Sequence, residues 1–208
     1  MGIPRILPFF MQISITMRKI IRRSALLILA FCLASSSRAQ RVIPGVKGGL
    51  NVSDIADYSG GQDSRISGHL GFFLHIKVVG KWGLQPELQY SGEGMRYLRD
   101  GDRYTLALNY VELPLLFQYE PARNFYLEFG PQLGYLMAAR VKGAGVNTSV
   151  YSDYNKIDMR LDLGMGVKIS PVFGFYGRYG LGLSDINPNS SNSYYNRVFQ
   201  VGLYARLQ

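Results

Sequence analysis

Cysteine is almost missing from this sequence: the 208 residues include a single one, Cys32. It lies in the N-terminal segment 1–39, which we predict to be removed on export. The exported chain then has neither a disulfide nor a thiolate that could bind a metal or act as a nucleophile. Beyond residue 39 there is also no apolar run of about 18 residues, which excludes a transmembrane helix.

The N-terminal segment has the three parts of a secretory signal. A basic run precedes the apolar block "ALLILAFCLA", and the small residues Ser37 and Ala39 follow at the spacing of a cleavage site. We therefore predict a signal peptide over 1–39, with Met17 as an alternative true start. The mature domain is predicted over 40–208.

A strong positive charge is missing from the mature chain as well. The full sequence carries 23 Lys and Arg against 14 Asp and Glu, a formal net charge of +9. Six of the basic residues and none of the acidic ones lie within 1–39, which leaves +3 on the mature domain. No basic patch remains of the kind that binds nucleic acid, so we expect no nucleic-acid partner.

Strict alternation of apolar and polar residues is what the mature sequence does contain. In "IDMRLDLGMGVKI", residues 157–169, every odd position is apolar and every even position is Asp, Arg, Lys or Gly. A period of two indicates a β-strand with one apolar and one polar face. The same pattern predicts eight strands, at 42–52, 66–79, 83–92, 104–119, 125–140, 157–169, 173–183 and 197–207.

The connections between these strands alternate in length. Short ones are predicted at 80–82, 120–124 and 170–172, and long ones at 53–65, 93–103, 141–156 and 184–196. In outer membrane barrels short turns face the periplasm and long loops face outward. A closed sheet also pairs every backbone amide within lipid. We therefore predict an all-β fold, a closed eight-stranded antiparallel up-and-down transmembrane β-barrel.

Aromatic residues cluster near the predicted strand ends, where rings favour the lipid–water boundary. The predicted girdle residues are Trp82, Tyr90, Tyr104, Tyr110, Tyr119, Phe125, Phe173 and Tyr179. A soluble barrel of lipocalin type would turn the apolar faces inward, and alternation alone does not separate the two. The many Gly and Gln residues on the polar faces, together with the loop pattern, favour the membrane barrel.

Several stretches resemble PorT-like outer membrane β-barrel domain proteins, and the likeness covers about 42–208. The most specific are "YVELPLL" at 110–116 and "GVKGGLN" at 45–51, supported by "LEFGPQLGYL" and "DLGMGVKI". The resemblance implies an eight-stranded barrel in the bacterial outer membrane. It implies no single activity.

Acidic and basic side chains share the polar faces of the predicted strands. The acids are Glu87, Glu112, Glu128, Asp158 and Asp162, and the bases are Lys47, Lys77, Arg160, Lys168, Arg178 and Arg206. Eight strands enclose a lumen that side chains just fill, and buried charges are stable only when paired. We therefore predict a salt-bridged plug that closes the barrel. The alternative is a narrow path for ions or protons.

Two histidines, His69 and His75, share the inward face of the second strand. A metal site there would need a carboxylate such as Glu87, and no HExxH spacing is present. His69 could also serve a lipid esterase as a base for a nearby serine, but no GxSxG elbow supports this. The serines in question are Ser53, Ser67 and Ser91. We predict no catalytic, cofactor-binding or metal-binding residue.

The expected function is non-enzymatic: a structural, adhesive or envelope-assembly component, or an accessory of a secretion system. A narrow ion or small-solute pore is one alternative, and a lipid-modifying outer membrane enzyme is another. The expected partners are the lipid bilayer and lipopolysaccharide, the outer membrane assembly machinery, and a surface or secretion-system protein. The long loops are rich in Tyr, Asn and Ser, which suit polar recognition.

Overall fold

The computed structural model describes residues 42–56, 62–187 and 193–207. The strands are β1 (Val42–Ala56), β2 (Gln62–Val79), β3 (Trp82–Arg99), β4 (Asp102–Ala122), β5 (Phe125–Gly143), β6 (Val146–Ser149), β7 (Ile157–Lys168), β8 (Phe173–Gly182) and β9 (Tyr195–Arg206). One turn of 3₁₀ helix covers Tyr151–Asp153. Within these ranges no helix has the length and hydropathy needed to cross a membrane. The predicted signal peptide lies outside the described residues and stays a prediction.

Eight of the strands close into a ring. They pair antiparallel in the order β1, β2, β3, β4, β5, β7, β8, β9. The last strand then pairs back onto the first, from Gly45 opposite Arg206 to Ala56 opposite Tyr195. The predicted closed eight-stranded antiparallel barrel is therefore confirmed. The short strand β6 is an addition that pairs with the end of β5.

Side chains alternate between the two faces of the ring, and the apolar face looks outward. In β5, exposed Leu127, Phe129 and Leu133 alternate with buried Glu128 and Gln132. Around the ring, most of the outward side chains are exposed Leu, Phe, Val, Ile and Met. We call the outer surface that they form the belt. A soluble barrel would show the reverse arrangement. The belt is the surface that a transmembrane barrel presents to lipid.

Three tight connections define one end of the barrel, which we call the turn side. They lie at 80–81, 123–124 and 169–172, close to the predicted short turns. Gly80 has a φ of 57°, a left-handed conformation that glycine adopts without a Cβ clash. The opposite end is the loop side.

On the loop side, two predicted long loops are wrong: 93–103 and 141–156 both contain β-hairpins. β3 and β4 stay paired up to Arg99 opposite Asp102, and β5 pairs with β6 up to Gly143 opposite Val146. Each hairpin turns through two residues with positive φ, Asp100 at 55° and Gly101 at 86° in the first, then Ala144 at 46° and Gly145 at 76° in the second. Such turns match the twist of the flanking strands, so the ladders extend beyond the belt.

The predicted aromatic girdle is correct in part. Trp82 packs on Tyr119 at the turn side, with ring centroids 4.8 Å apart, and Tyr90, Phe173 and Tyr179 are exposed. The prediction for Tyr110 is wrong, because this residue is fully buried in the lumen. It lies two residues before Glu112 in β4 and therefore shares the inward phase of that strand. The prediction for Tyr104 is also wrong, since this residue lies in the extended hairpin. There its ring stacks on that of Tyr97, with the ring centroids 5.7 Å apart.

Candidate functional site

Three carboxylates surround the guanidinium of Arg178 in the middle of the lumen. Its Nη1 and Nη2 donate to the two oxygens of Glu87 at 3.0 and 2.9 Å, and its Nε donates to Glu128 at 2.9 Å. Asp162 lies 3.9 Å from Nη1. Lys47 donates to both oxygens of the same Glu87, at 3.1 and 3.0 Å. The predicted pairing of these five charges is confirmed, and we call them the Arg178 cluster.

A second cluster lies nearer the loop side, around Arg160. Its Nη1 donates to Glu93 at 2.7 Å, its Nη2 pairs with Glu112, and its Nε lies 3.8 Å from Asp158. Glu93 is a residue that the sequence reasoning missed, because it fell in the predicted loop 93–103. It continues the inward phase of Gln89 in β3, which was the available signal.

An apolar layer closes the lumen on the loop side of the Arg160 cluster. Its members are buried side chains from β1, β3, β4, β5 and the last connection: Ile55, Met95, Leu106, Leu108, Tyr110, Leu136, Ala139 and Ile186. Leu106 and Met95 are directly opposed within the β3–β4 hairpin. The base of the projecting hairpin is therefore packed into the barrel, since the same side chains belong to both.

An aromatic layer closes the lumen on the turn side. It consists of Phe73, Tyr126, Tyr176 and Tyr204. Glycines opposite these rings supply the space they occupy: a Cβ at Gly166 would collide with the Tyr126 phenol, and one at Gly174 with the Tyr204 phenol. Next to this layer the side chains leave a cavity of ≈ 10 Å³, room for about one water. The described side chains thus fill the lumen at four levels, two charged ones between an apolar and an aromatic layer.

The lumen contains more acid than base. Its buried ionisable Asp, Glu, Lys and Arg side chains are Glu87, Glu93, Glu112, Glu128, Asp158 and Asp162 against Lys47, Arg160 and Arg178. Oε2 of Glu93 and Oδ2 of Asp162 are buried without a hydrogen-bond partner. Nε of Arg160 is also buried without one, so the hydrogen bonding of both clusters is incomplete, and the excess of acid lies in the number of groups.

Three of the predicted lumen bases do not join either cluster, which corrects the prediction. Lys77 is exposed at the turn-side rim. Lys168 pairs instead with Glu120, at 2.6 Å. The guanidinium of Arg206 lies over the ring of Tyr204, 5.8 Å from its centroid. All three lie within a few residues of a strand's turn-side end, where the lumen opens to water.

The histidines are structural hydrogen-bonding groups in this arrangement. Nδ1 of His69 contacts Asn51 and its Nε2 contacts the Tyr176 hydroxyl, so neither nitrogen is directed at a serine. His75 bonds Gln118 through Nδ1, at 2.9 Å. In the described part of the chain no three His, Cys, Asp or Glu side chains form a group that could hold a metal ion.

The serines proposed as partners of His69 are used elsewhere. Ser53 donates to the carbonyl oxygen of Gly94, and Ser91 donates to the Glu93 carboxylate at 2.9 Å. Ser67 donates to the carbonyl of Gly92. His69 and these three serines therefore form no nucleophile–base pair of the kind that the esterase alternative needs.

Comparison with known families and structures agrees with this geometry. The model of the family described as outer membrane protein beta-barrel domain matches residues 34–187. The chain belongs to this family. Its members and the barrel fold place this outer membrane barrel in the bacterial outer membrane, which confirms the predicted localisation. No curated protein matches the chain.

Solved barrels of similar architecture share little sequence with this outer membrane barrel. Ail, the attachment invasion locus protein of Yersinia pestis, has 12% identity and a TM-score of 0.51, over 79% of this chain and 98% of Ail. Neisserial surface protein A has 10% identity and a TM-score of 0.48, over 79% and 96%. OprG from Pseudomonas aeruginosa has 11% identity and a TM-score of 0.44, over 81% and 97%. The likeness to Ail shows the shared fold alone.

Proposed function

We propose that this outer membrane barrel is a non-enzymatic component of the cell envelope, of the PorT-like kind, whose lumen is closed to solutes. Its role is then to hold the loop-side hairpins at the cell surface for an adhesive, assembly or secretion partner. The observation that carries the proposal is the filled lumen, with an apolar layer, two ion-pair clusters and an aromatic layer stacked along it. Insertion by the outer membrane assembly machinery belongs to the same proposal.

The loop-side hairpins support a binding role because they are built as rigid projections. The β3–β4 ladder is paired without interruption from Gln89 to Arg99, and β6 widens the sheet beside β5. The apolar layer joins the base of the β3–β4 hairpin to the barrel interior. A preformed surface of this kind loses less entropy on binding than a flexible loop does.

Conductance in planar bilayers tests the closed lumen. We expect the reconstituted mature chain to give no steady open level, because an apolar layer, two ion-pair clusters and an aromatic layer fill the described lumen. A water-filled porin in the same bilayer is the positive control. Steady single-channel steps from the purified chain would contradict the proposal.

A narrow cation path is the second candidate, favoured by the excess of carboxylates in the lumen. It predicts steps that are selective for cations over anions. Glu93→Gln should then reduce that selectivity, because it removes a buried carboxylate with an unpaired oxygen. An anion-selective or non-selective conductance would rule this candidate out.

A further inference from the structure

The outward face of the loop-side hairpins carries four basic side chains, Arg96, Arg103, Arg140 and Lys142, which we call the basic patch. We propose that the basic patch binds the phosphate groups of outer-leaflet lipid, the phosphorylated lipid A of lipopolysaccharide. The inference rests on the outer membrane location and on the short turns facing the periplasm. It holds whether or not the lumen conducts.

Strand register brings the four cations together on one face. Arg96 is opposite Thr105, and Thr105 is opposite Lys142, so the three form one row across β3, β4 and β5. Neighbouring strands lie about 4.8 Å apart, which separates the outer two backbones by roughly 10 Å. Arg103 and Arg140 lie two residues from this row, on either side of it, in β4 and β5. Residues two apart share a face of a strand.

The basic patch begins where the belt ends. In β5 the exposed apolar side chains continue to Met137, and the next exposed residues along the strand are Arg140 and Lys142. Three residues of strand cover about 10 Å, and barrel strands tilt, so Arg140 stands at the depth of the lipid headgroups. Lipid phosphates lie in that layer.

The cations of the basic patch are available to an anion. Asp63 is opposite Arg96 in the ladder but lies beyond ion-pair distance, and in the described ranges no carboxylate pairs with any of the four. Arg103, Arg140 and Lys142 are exposed. Guanidinium groups bind phosphate through two parallel hydrogen bonds, and a lysine adds a point charge.

The turn-side end of the belt has a different character. Its exposed edge residues are apolar or aromatic, for example Val79, Trp82 and Phe173. Lys77, Lys168 and Arg206 at this end follow the inward phase of their strands and not the outward face. Lys81 and Arg123 lie in the turns, and Lys81 donates to the carbonyl of Pro121. The cations therefore favour the leaflet on the loop side, which is the outer leaflet if the short turns face the periplasm.

Binding of lipid A to the folded mature chain in dodecyl maltoside micelles, which contain no phosphate, tests the proposal. Native mass spectrometry would compare bisphosphorylated lipid A with its phosphate-free form. We expect the double variant Arg140→Gln/Lys142→Gln to bind bisphosphorylated lipid A about 25-fold more weakly, since each Lys or Arg near an anionic lipid contributes roughly fivefold. The matched control Lys81→Gln/Arg123→Gln should bind as the unchanged chain does.

Two results would overturn the proposal. One is equal affinity of the unchanged chain for lipid A with and without phosphates, a comparison that needs no variant to fold. The other is a loss in the control pair as large as the loss in the patch pair, with both variants verified as folded by their heat-dependent migration on gels. Weakening of the bisphosphorylated complex by added salt supports it, because salt screens exposed charges.

Discussion

Replacing Arg178 with Met is expected to lower the free energy of unfolding of the barrel by about 3–5 kcal/mol. Arg178 is 1% exposed and contacts Glu87, Glu128 and Asp162 at once. Its removal leaves three buried carboxylates with one remaining cation in the cluster, Lys47. Breaking a buried pair costs more than the pair itself contributes, because an uncompensated charge stays behind.

Urea unfolding in lipid vesicles, followed by fluorescence, measures this change. The chain has one tryptophan, Trp82, which lies at the end of the belt and reports on insertion. Adding Glu128→Gln to Arg178→Met should recover part of the loss, since it removes one of the stranded charges. The exposed control Arg103→Met should change the free energy of unfolding by less than about 0.5 kcal/mol. A similar small effect for Arg178→Met would contradict the account of the cluster.

Leu115→Arg should destabilise the barrel by about 2–4 kcal/mol, the cost of a charge at the midplane of a bilayer. Leu115 is exposed on the outward face of β4, with Val111 and Leu113 on one side and Phe117 and Tyr119 on the other. It is thus the centre of the belt on that strand. The substituted guanidinium would have to reach an interface through hydrocarbon.

The same unfolding measurement in vesicles compares the cost of an introduced arginine at two depths in the membrane. The control is Leu183→Arg, which places the same charge at the loop-side end of the belt, where the cost is about 0–1 kcal/mol. Leu183 is 62% exposed, more than Leu115 at 41%, so exposure alone would predict no greater cost at the midplane. Equal effects at the two positions would contradict the membrane depth assigned to the belt.

The alternation of apolar and polar residues was sufficient to predict the barrel, because one face of each strand contacts lipid and the other faces the lumen. In β7, every outward residue is apolar and the charges Asp158, Arg160 and Asp162 all turn inward, as the alternation predicts. With eight such strands, closure follows from the need to pair both edges in lipid. The turn positions followed from the same pattern.

The two hairpins were predicted as loops because their residue composition is typical of loops. The segments 93–103 and 141–156 are rich in polar residues and Gly, which suggested loops. Their Asp100–Gly101 and Ala144–Gly145 pairs are instead hairpin turns that carry the ladder past the membrane. Glu93 was misplaced as a result, and Tyr110 was assigned to the girdle, although both follow the inward phase of their strands.

Which charges pair could not be predicted, because register around the ring decides it. Lys47 meets Glu87, 40 residues away, and Arg178 meets the same carboxylate from 91 residues away. Neither separation has a local signal. Lys77 shares the inward phase of His75 but lies too near the turn side to reach the clusters.

Spin-label accessibility tests most directly whether the belt contacts lipid. Because Cys32 is the only cysteine in the sequence, a cysteine introduced into the mature domain gives a single label. Labels at Leu113, Leu115 and Phe117 in vesicles are predicted to be accessible to oxygen and protected from a water-soluble nickel reagent. A label at Arg103, beyond the belt, is predicted to show the opposite. Nickel accessibility at the three belt positions equal to that at Arg103 would contradict the account.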